Sequence, residues 1–297
     1  MSLEQQIAQA KRPLFFVAHQ DDEVGYGGLI QRLGPRTKFL FLTNGDGIAP
    51  AVKADPKEYA EMRKAEALRS LAVVGISAEN VRCLDFSEIE IYRRMADVAD
   101  RPDLREDALR FFEGIRDAVR EAVAEVDPDL AVTVGYQGGH PEHDLAHFFC
   151  MLALRDVEKK AGRDVPFYHL PEYELTILLP FRFGRWYKGE RLALPLTDAE
   201  FETKVRMLDQ YPSQVDLFNK FRKVFRGIEL VGKVLGKGWS MRAFYGTEQV
   251  SPVARDTDYA KPPYANDFFN YMFEDFEGRP IKFRKSIQPI VRHFLSR

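Results

Sequence analysis

The chain has 297 residues, 45% hydrophobic and 30% charged, with 43 Lys plus Arg against 45 Asp plus Glu and a formal net charge of −2. That length suits one large domain or two, and the near-neutral charge excludes a globally basic nucleic-acid binder and a charge-driven disordered chain. With only two cysteines, Cys83 and Cys150, a disulfide scaffold and a zinc site built from several cysteines are excluded. A transition metal here would be held by histidine and carboxylate. Residues 1–12 carry charge and no apolar run of signal-peptide length, and no stretch approaches the ~20 apolar residues of a membrane-spanning helix. A cytoplasmic protein with reduced cysteines is expected. The longest apolar run in the middle of the chain, residues 175–180, has strand length.

In chain order, residues 14–18 read as a short buried strand that ends on a polar cluster. Residues 25–33 have helical spacing. Residues 38–43 (KFLFLT) predict a second strand, followed by the turn signal Asn44-Gly45-Asp46-Gly47. Residues 58–74 predict a long helix, with Met62, Ala65, Leu68 and Leu71 at three-residue spacings and Gly75 just past its end. A third strand is expected over 81–86. A helix over 107–126 carries Phe111, Phe112, Ile115, Val119 and Val123 on its apolar side and stops at Asp127-Pro128-Asp129. Residues 130–134 predict a fourth strand, Gln137-Gly138-Gly139 a loop, and 141–158 a helix.

Strands alternate with helices, and the strands are continuously apolar. That pattern fits an α/β fold with a mostly parallel, Rossmann-like sheet flanked by helices on both faces. After about residue 165 the alternation stops: 167–179 predicts one or two strands, and 197–211 a helix capped by Thr197 or Asp198. Residues 1–180 are expected to form the core, and residues 181–297 an extension packed on it that sets substrate specificity.

Two polar clusters stand out. Ala18-His19-Gln20-Asp21-Asp22-Glu23 follows the first strand directly, and His140-Pro141-Glu142-His143-Asp144, with His147, follows the fourth. In an open parallel sheet, ligands bind beyond the carboxyl ends of the strands, where strand order reverses. In the order 3-2-1-4-5 the first and fourth strands are neighbours, so the two clusters would face one crevice. A catalytic zinc site takes three His or carboxylate ligands and leaves a position for water. His19, Asp22 and one or two histidines of the second cluster would supply them. Each cluster alone also has a bland reading: carboxylates capping the next helix, or histidines on a surface.

With these residues in place, the chain resembles the LmbE-like/PIG-L metal-dependent N-deacetylases, which act on N-acetylglucosamine-containing molecules. The family's first motif is Ala-His-Pro-Asp-Asp-Glu, and here Gln20 stands where Pro is usual. The second, His-Pro-Asp-His, reads His140-Pro141-Glu142-His143. Thr43-Asn44-Gly45 resembles its Thr-Asp-Gly, and Arg63 with Glu66 its Arg-x-x-Glu helix. Lys204 followed by Tyr211-Pro212-Ser213-Gln214 resembles a Lys…Tyr-x-Ser-Gln element. The likeness is continuous to about residue 160 and patchy to about 218.

The resemblance implies His19, Asp22 and His143 as metal ligands, Asp21 as general base, and His140 as electrostatic stabiliser and general acid. It implies Zn2+ or another divalent metal such as Fe2+. Arg63, Glu142, His147, Tyr211 and Gln214 are expected to bind substrate or support the ligands, Glu142 by orienting a histidine. His147 shares a helix face with His143 at the spacing of a His-x-x-x-His zinc pair, and its other reading is a packing histidine.

Other signals fail. Gly25-Tyr26-Gly27-Gly28 lacks the third glycine and the acidic residue of a dinucleotide fingerprint, and there is neither a P-loop nor a Gly-x-Ser-x-Gly elbow. Residues 219–237 hold six basic residues and one acidic, and residues 278–297 six basic and none acidic. In the first, Leu217, Phe221, Val224, Phe225 and Ile228 share a helical face, which suits either a helix packed on the core or a weak peripheral membrane contact. The expected substrate is a free, lipid-linked or nucleotide-linked N-acetylated sugar, and no nucleic acid. The alternatives are an amidase acting on a non-sugar amide and a metal- or ligand-binding protein that has lost turnover.

Overall fold

The computed structural model describes residues 1–172, 181–184 and 187–296, and only the backbone of 215–222 and 225. The first half is β1 (Pro13–Val17), α2 (Gly27–Leu33), β2 (Lys38–Thr43), α3 (Pro56–Val73), β3 (Val81–Phe86), α4 (Glu88–Asp100), α5 (Arg105–Val126), β4 (Leu130–Val134), α6 (Pro141–Ala161) and β5 (Phe167–Leu170), preceded by α1 (Leu3–Gln9). The second half adds β6 (Leu192–Pro195), α7 (Asp198–Leu208), α8 (Val215–Val234), α9 (Met241–Tyr245), β7 (Thr247–Pro252), the two-residue strands β8 (Asp275–Phe276) and β9 (Arg279–Pro280), and α10 (Gln288–Leu295). A 3-10 turn over Asp22–Tyr26 replaces the start of the helix expected from residue 25.

The main sheet has the order β3-β2-β1-β4-β5-β7-β6. Its first five strands are parallel, with Phe15 of β1 facing Phe39 of β2 on one side and Val132 of β4 on the other. Every residue of β1 and β4 is buried. Helices cover both faces, so these strands need no polar alternation. β3, at the edge, is only partly buried.

The extension does more than pack on this core, because β7 pairs antiparallel with β5 and β6 antiparallel with β7, which widens the same sheet. Of the one or two strands expected over 167–179, β5 is one; residues 173–179 and the apolar run 175–180 lie outside the described residues. The helix expected from 197 is α7, whose N-cap is Thr197, closed by a capping box with Glu200. α4 has no counterpart among the sequence expectations. Ser87 caps it, and Asp46, in the turn after β2, accepts the N–H groups of Glu88 (2.8 Å) and Ile89 (3.3 Å) at its exposed amino end.

The extension also braces the helix that follows the first polar cluster. Glu248 of β7 is buried, and its carboxylate accepts the N–H groups of Gly28 (2.9 Å) and Leu29 (2.7 Å) at the start of α2. Lys204 of α7 lies 3.0 Å from Glu248 and also donates to the Gly25 carbonyl. Gly28 permits this approach: a Cβ there would come within 2.1 Å of Leu196. Glu248→Ala would leave the Lys204 ammonium buried and unpaired and uncap α2, so it is expected to cost about 3–5 kcal/mol of folding stability, read from urea unfolding midpoints.

Candidate metal centre

After β1 the chain crosses the carboxyl edge of the sheet as Ala18-His19-Gln20-Asp21. Asp22 fastens this crossing: its Oδ2 accepts the N–H groups of Ala18 (3.0 Å) and His19 (2.8 Å). Its Oδ1 lies 3.1 Å from His143 Nε2 and 3.6 Å from His19 Nδ1, and those two ring nitrogens are 3.1 Å apart. Tetrahedral zinc with bonds of about 2.0–2.2 Å spaces its ligand atoms about 3.3–3.6 Å apart. The three donors therefore have both the chemistry and the span to hold a divalent metal.

Glu142 completes the arrangement. Its Oε2 is 2.7 Å from His19 Nε2, so Nε2–H donates to the carboxylate and Nδ1 faces Asp22 and His143. Burial pushes Glu142 up to about 8, against the pull of His19. Two further sets share His19, one with His140 and His143 and one with Glu88 and Glu142, each with donor atoms within 4.8 Å of one another.

Asp21 and Asp22 diverge. Asp21 has φ of +132°, a conformation a non-glycine residue rarely holds, and its Oδ2 meets Arg63 Nη2 at 3.0 Å. Burial raises Asp21 above the usual carboxylate range although Arg63 opposes the shift. Burial would also raise Asp22, but the charges of His143 and His19 outweigh it and hold that carboxyl well below its ordinary value.

Arg63 is itself buried and donates to the Gln20 carbonyl. Its guanidinium lies over the Tyr211 ring, 5.5 Å from the centroid. The Tyr211 hydroxyl donates to Glu23, which Ser70 also bonds at 2.8 Å, and burial pushes Glu23 up to about 7 against these bonds. Ser213 N–H donates to Glu66 (2.8 Å), and Gln214 reaches the Tyr59 hydroxyl (3.4 Å). The Tyr211–Gln214 stretch thus braces the helix of Arg63 from behind the cluster.

His140 is the residue before α6, and its ring lies 4.8 Å from both the His19 and His143 rings. Its Nε2 is 3.3 Å from the Tyr92 hydroxyl, which donates to Glu274 Oε2 at 2.5 Å. Burial and the positive charges of His19 and His143 hold His140 well below its ordinary value.

The structure does not bring His147 into the cluster. One turn further along α6, its Nδ1–H donates to the Val134 carbonyl (2.8 Å) and its Nε2 accepts from the Tyr259 hydroxyl (3.0 Å). Both nitrogens are spent, so the ligand reading gives way to the packing one. His169 bonds Tyr187 (2.8 Å), and His293 bonds Glu113 (2.7 Å).

Sequence reasoning passed over Glu88, Tyr92, Gln137, Glu172 and Glu274. For the first two a signal existed: Ser87 followed by Glu88 and Glu90 is a helix start. Gln137 Oε1 accepts the Glu172 N–H (2.9 Å), while Gln137 Nε2 and Glu172 Oε1 are buried and bond no other protein atom among the described residues. Burial and then the charges of Asp22 and Asp21 raise Glu172 well above its ordinary range, which sets it beside the cluster.

A mostly parallel sheet with a His-Asp-His donor set at the carboxyl edge, between its first and fourth strands, defines a Rossmann-like fold with a candidate metal site. Residues 14–154 match the family described as "PIG-L: GlcNAc-PI de-N-acetylase". This stretch of the chain is a PIG-L (LmbE-like) domain. Among solved structures the chain is similar to a deacetylase of the teicoplanin biosynthesis pathway, at 19% identity and a TM-score of 0.57, over 83% of this chain and 99% of that one. A zinc-inhibited form of teicoplanin deacetylase gives 18%, 0.56, 83% and 99%. The N,N'-diacetylchitobiose deacetylase from Pyrococcus horikoshii gives 17%, 0.53, 85% and 87%. At these identities the likeness establishes the fold. No curated protein sequence matches the chain.

Two measurements follow from this geometry. Glu142→Gln replaces the carboxylate that accepts from His19 Nε2 with a neutral amide, so metal affinity in a competition titration is expected to fall ~10–100-fold with the fold intact. His147 is lowered by burial from 6.5 to about 4. The unfolded chain then takes up this proton near pH 6.5 and the folded chain only near 4, so the stability that the neutral ring contributes is complete above 6.5 and lost as pH falls toward 4. Denaturant midpoints across that window should decline less steeply in His147→Gln than in the parent protein.

Proposed function

We propose that this protein is a metal-dependent N-deacetylase that hydrolyses the N-acetyl group of an N-acetylated amino sugar or its conjugate, releasing acetate and a free amine. The observation that carries this reading is the divergence of two adjacent carboxylates. Asp22 closes a His-Asp-His donor set, while Asp21, next in the chain, is turned away from it toward Arg63. A divalent cation bound by His19, Asp22 and His143 supplies Lewis acidity and lowers the pKa of water. The family match and the deacetylases among the similar structures support the same reaction class. Zn2+ and Fe2+ both suit a two-histidine, one-carboxylate set.

The residues divide the work as follows. Asp21, raised by burial but still paired with Arg63, accepts a proton from the attacking water. The water oxygen adds to the acetamide carbonyl carbon. His140, beside the donor set and kept neutral by burial, stabilises the oxygen that becomes negative. The C–N bond then breaks as the proton held on Asp21 passes to the nitrogen, which leaves as the amine, and acetate remains. Gln137 Nε2 and Glu172 Oε1, which bond no protein atom among the described residues, would pair with sugar hydroxyls, and an analogue without those hydroxyls would leave both atoms unpaired.

Acetate release from free, lipid-linked and nucleotide-linked N-acetylglucosamine, set beside non-sugar acetamides, tests the substrate class. Turnover confined to the non-sugar amides would replace deacetylase by amidase, and no turnover on any with the metal bound would leave a binding protein. Asp21→Asn is expected to bind metal as the parent does while kcat falls ~10²–10⁴-fold, the usual contribution of a general base.

A further inference from the structure

We propose that α8 and the turn after it form a docking face for an anionic lipid surface. Six of the exposed large apolar side chains among the described residues fall within 224–239: Val224 (53% exposed), Leu230 (66%), Val231 (50%), Val234 (80%), Leu235 (57%) and Trp239 (39%). At about 100° per residue, Val224, Ile228, Val231 and Leu235 line one stripe of the helix. A surface helix ordinarily turns such a stripe to the core. Here its described members are left open or only partly covered.

The chain after α8 folds back beside this stripe. Lys237 N–H donates to the Gly232 carbonyl at 2.7 Å, and a Cβ on Gly232 would come within 2.8 Å of the Trp239 Cβ. Glycine at 232 therefore lets the indole settle against the helix, next to the open valines. An indole beside a row of aliphatic side chains is the composition of an interfacial helix.

Charge selects the occupant. Residues 219–237 contain six basic residues and one acidic. The single acid, Glu229, is engaged within the fold, where it accepts the Met241 N–H at 3.2 Å. Arg226, Lys233 and Lys237 are exposed; Arg226 and Lys233 lie roughly 180–200° round the helix from Val224, and Lys237 sits in the turn beyond its end. With the apolar stripe seated at the acyl boundary, these cations remain in the aqueous layer, within a Debye length of anionic headgroups. A second copy of the same face would bring two basic segments together, which like-charge repulsion opposes. This docking does not depend on the deacetylase reading.

The test uses the full chain with vesicles of phosphatidylcholine, with and without phosphatidylglycerol, read by co-sedimentation and by the emission of Trp239 in a Trp186→Phe background. Binding at least ~10-fold stronger to the anionic vesicles is expected, weakening as salt is raised, with a blue shift of the indole. Val231→Glu and, separately, Arg226→Glu should each reduce binding ~10-fold. Far-UV circular dichroism and acetate release from a soluble substrate should stay unchanged. Absence of vesicle binding, binding indifferent to phosphatidylglycerol, or binding unaffected by Val231→Glu would overturn the proposal. So would a concentration-dependent dimer that Val231→Glu dissolves, since that would assign the face to a second copy.

Discussion

The parallel pairing of β1 with β4 is the constraint on which the rest depends. It sets Phe16 beside Thr133 and brings the two strand ends to one edge of the sheet. His19 and Asp22 leave from one end, His140 and His143 from the other, and His19 Nδ1 and His143 Nε2, 124 residues apart in sequence, lie 3.1 Å apart in space. Both strands are buried throughout, so their register is held by packing from both faces and cannot slip without exposing aromatic side chains. Asp22 then transmits that rigidity to the cluster. One of its oxygens takes two backbone N–H groups at the end of β1, and the other is left to aim at the histidines.

Around that edge, carboxyl groups outnumber cations. Arg63 is committed to Asp21, and Lys204 to Glu248. Glu23, Glu142 and Glu172 are left to hydrogen bonds, and burial raises each of them. A carboxylate taken out of water without a counter-charge either finds a cation or takes up a proton. A divalent cation on the His-Asp-His set would offset this excess at its centre. The same excess explains why the extension matters to the core: Lys204, Tyr211, Tyr271 and Glu274 all come from beyond residue 200 and all bond groups of the first 150 residues or the loops between them.

Much of this was legible in the sequence, for physical reasons. Strands buried on both faces announce themselves as unbroken apolar runs, and six histidines are few enough for two clusters to stand out. Chain order placed both clusters after strands, and the strand order joined them. α4 was missed although Ser87 and the spacing of Ile91, Met95 and Val98 marked it. Glu274 had no local mark, because it reaches Tyr92 only through the tertiary path of the extension. His147 left two readings open because the i+4 spacing shares a face but not a depth. One turn of about 5.4 Å carries it inward from the edge, to the Val134 carbonyl inside the sheet layer.

Gln20 shows how a residue foreign to the motif is fitted into it. Proline at that position would restrict the backbone before Asp21 through its ring. Gln20 restrains it through its side chain. It is fully buried, and its amide donates to the Thr43 carbonyl at 2.8 Å, tying the crossing after β1 to the last residue of β2. Its own carbonyl receives Arg63, the residue that also holds the Asp21 carboxylate. The Asp21 backbone, at φ of +132°, is thus fixed by hydrogen bonds on the residue before it and by its own N–H to Glu23 at 3.1 Å. The restraint has a cost, since Gln20 Oε1 is buried and bonds no protein atom among the described residues. A fold that leaves that atom unsatisfied and still holds Asp21 in a rare conformation places the demand for a fixed Asp21 carboxylate above local stability.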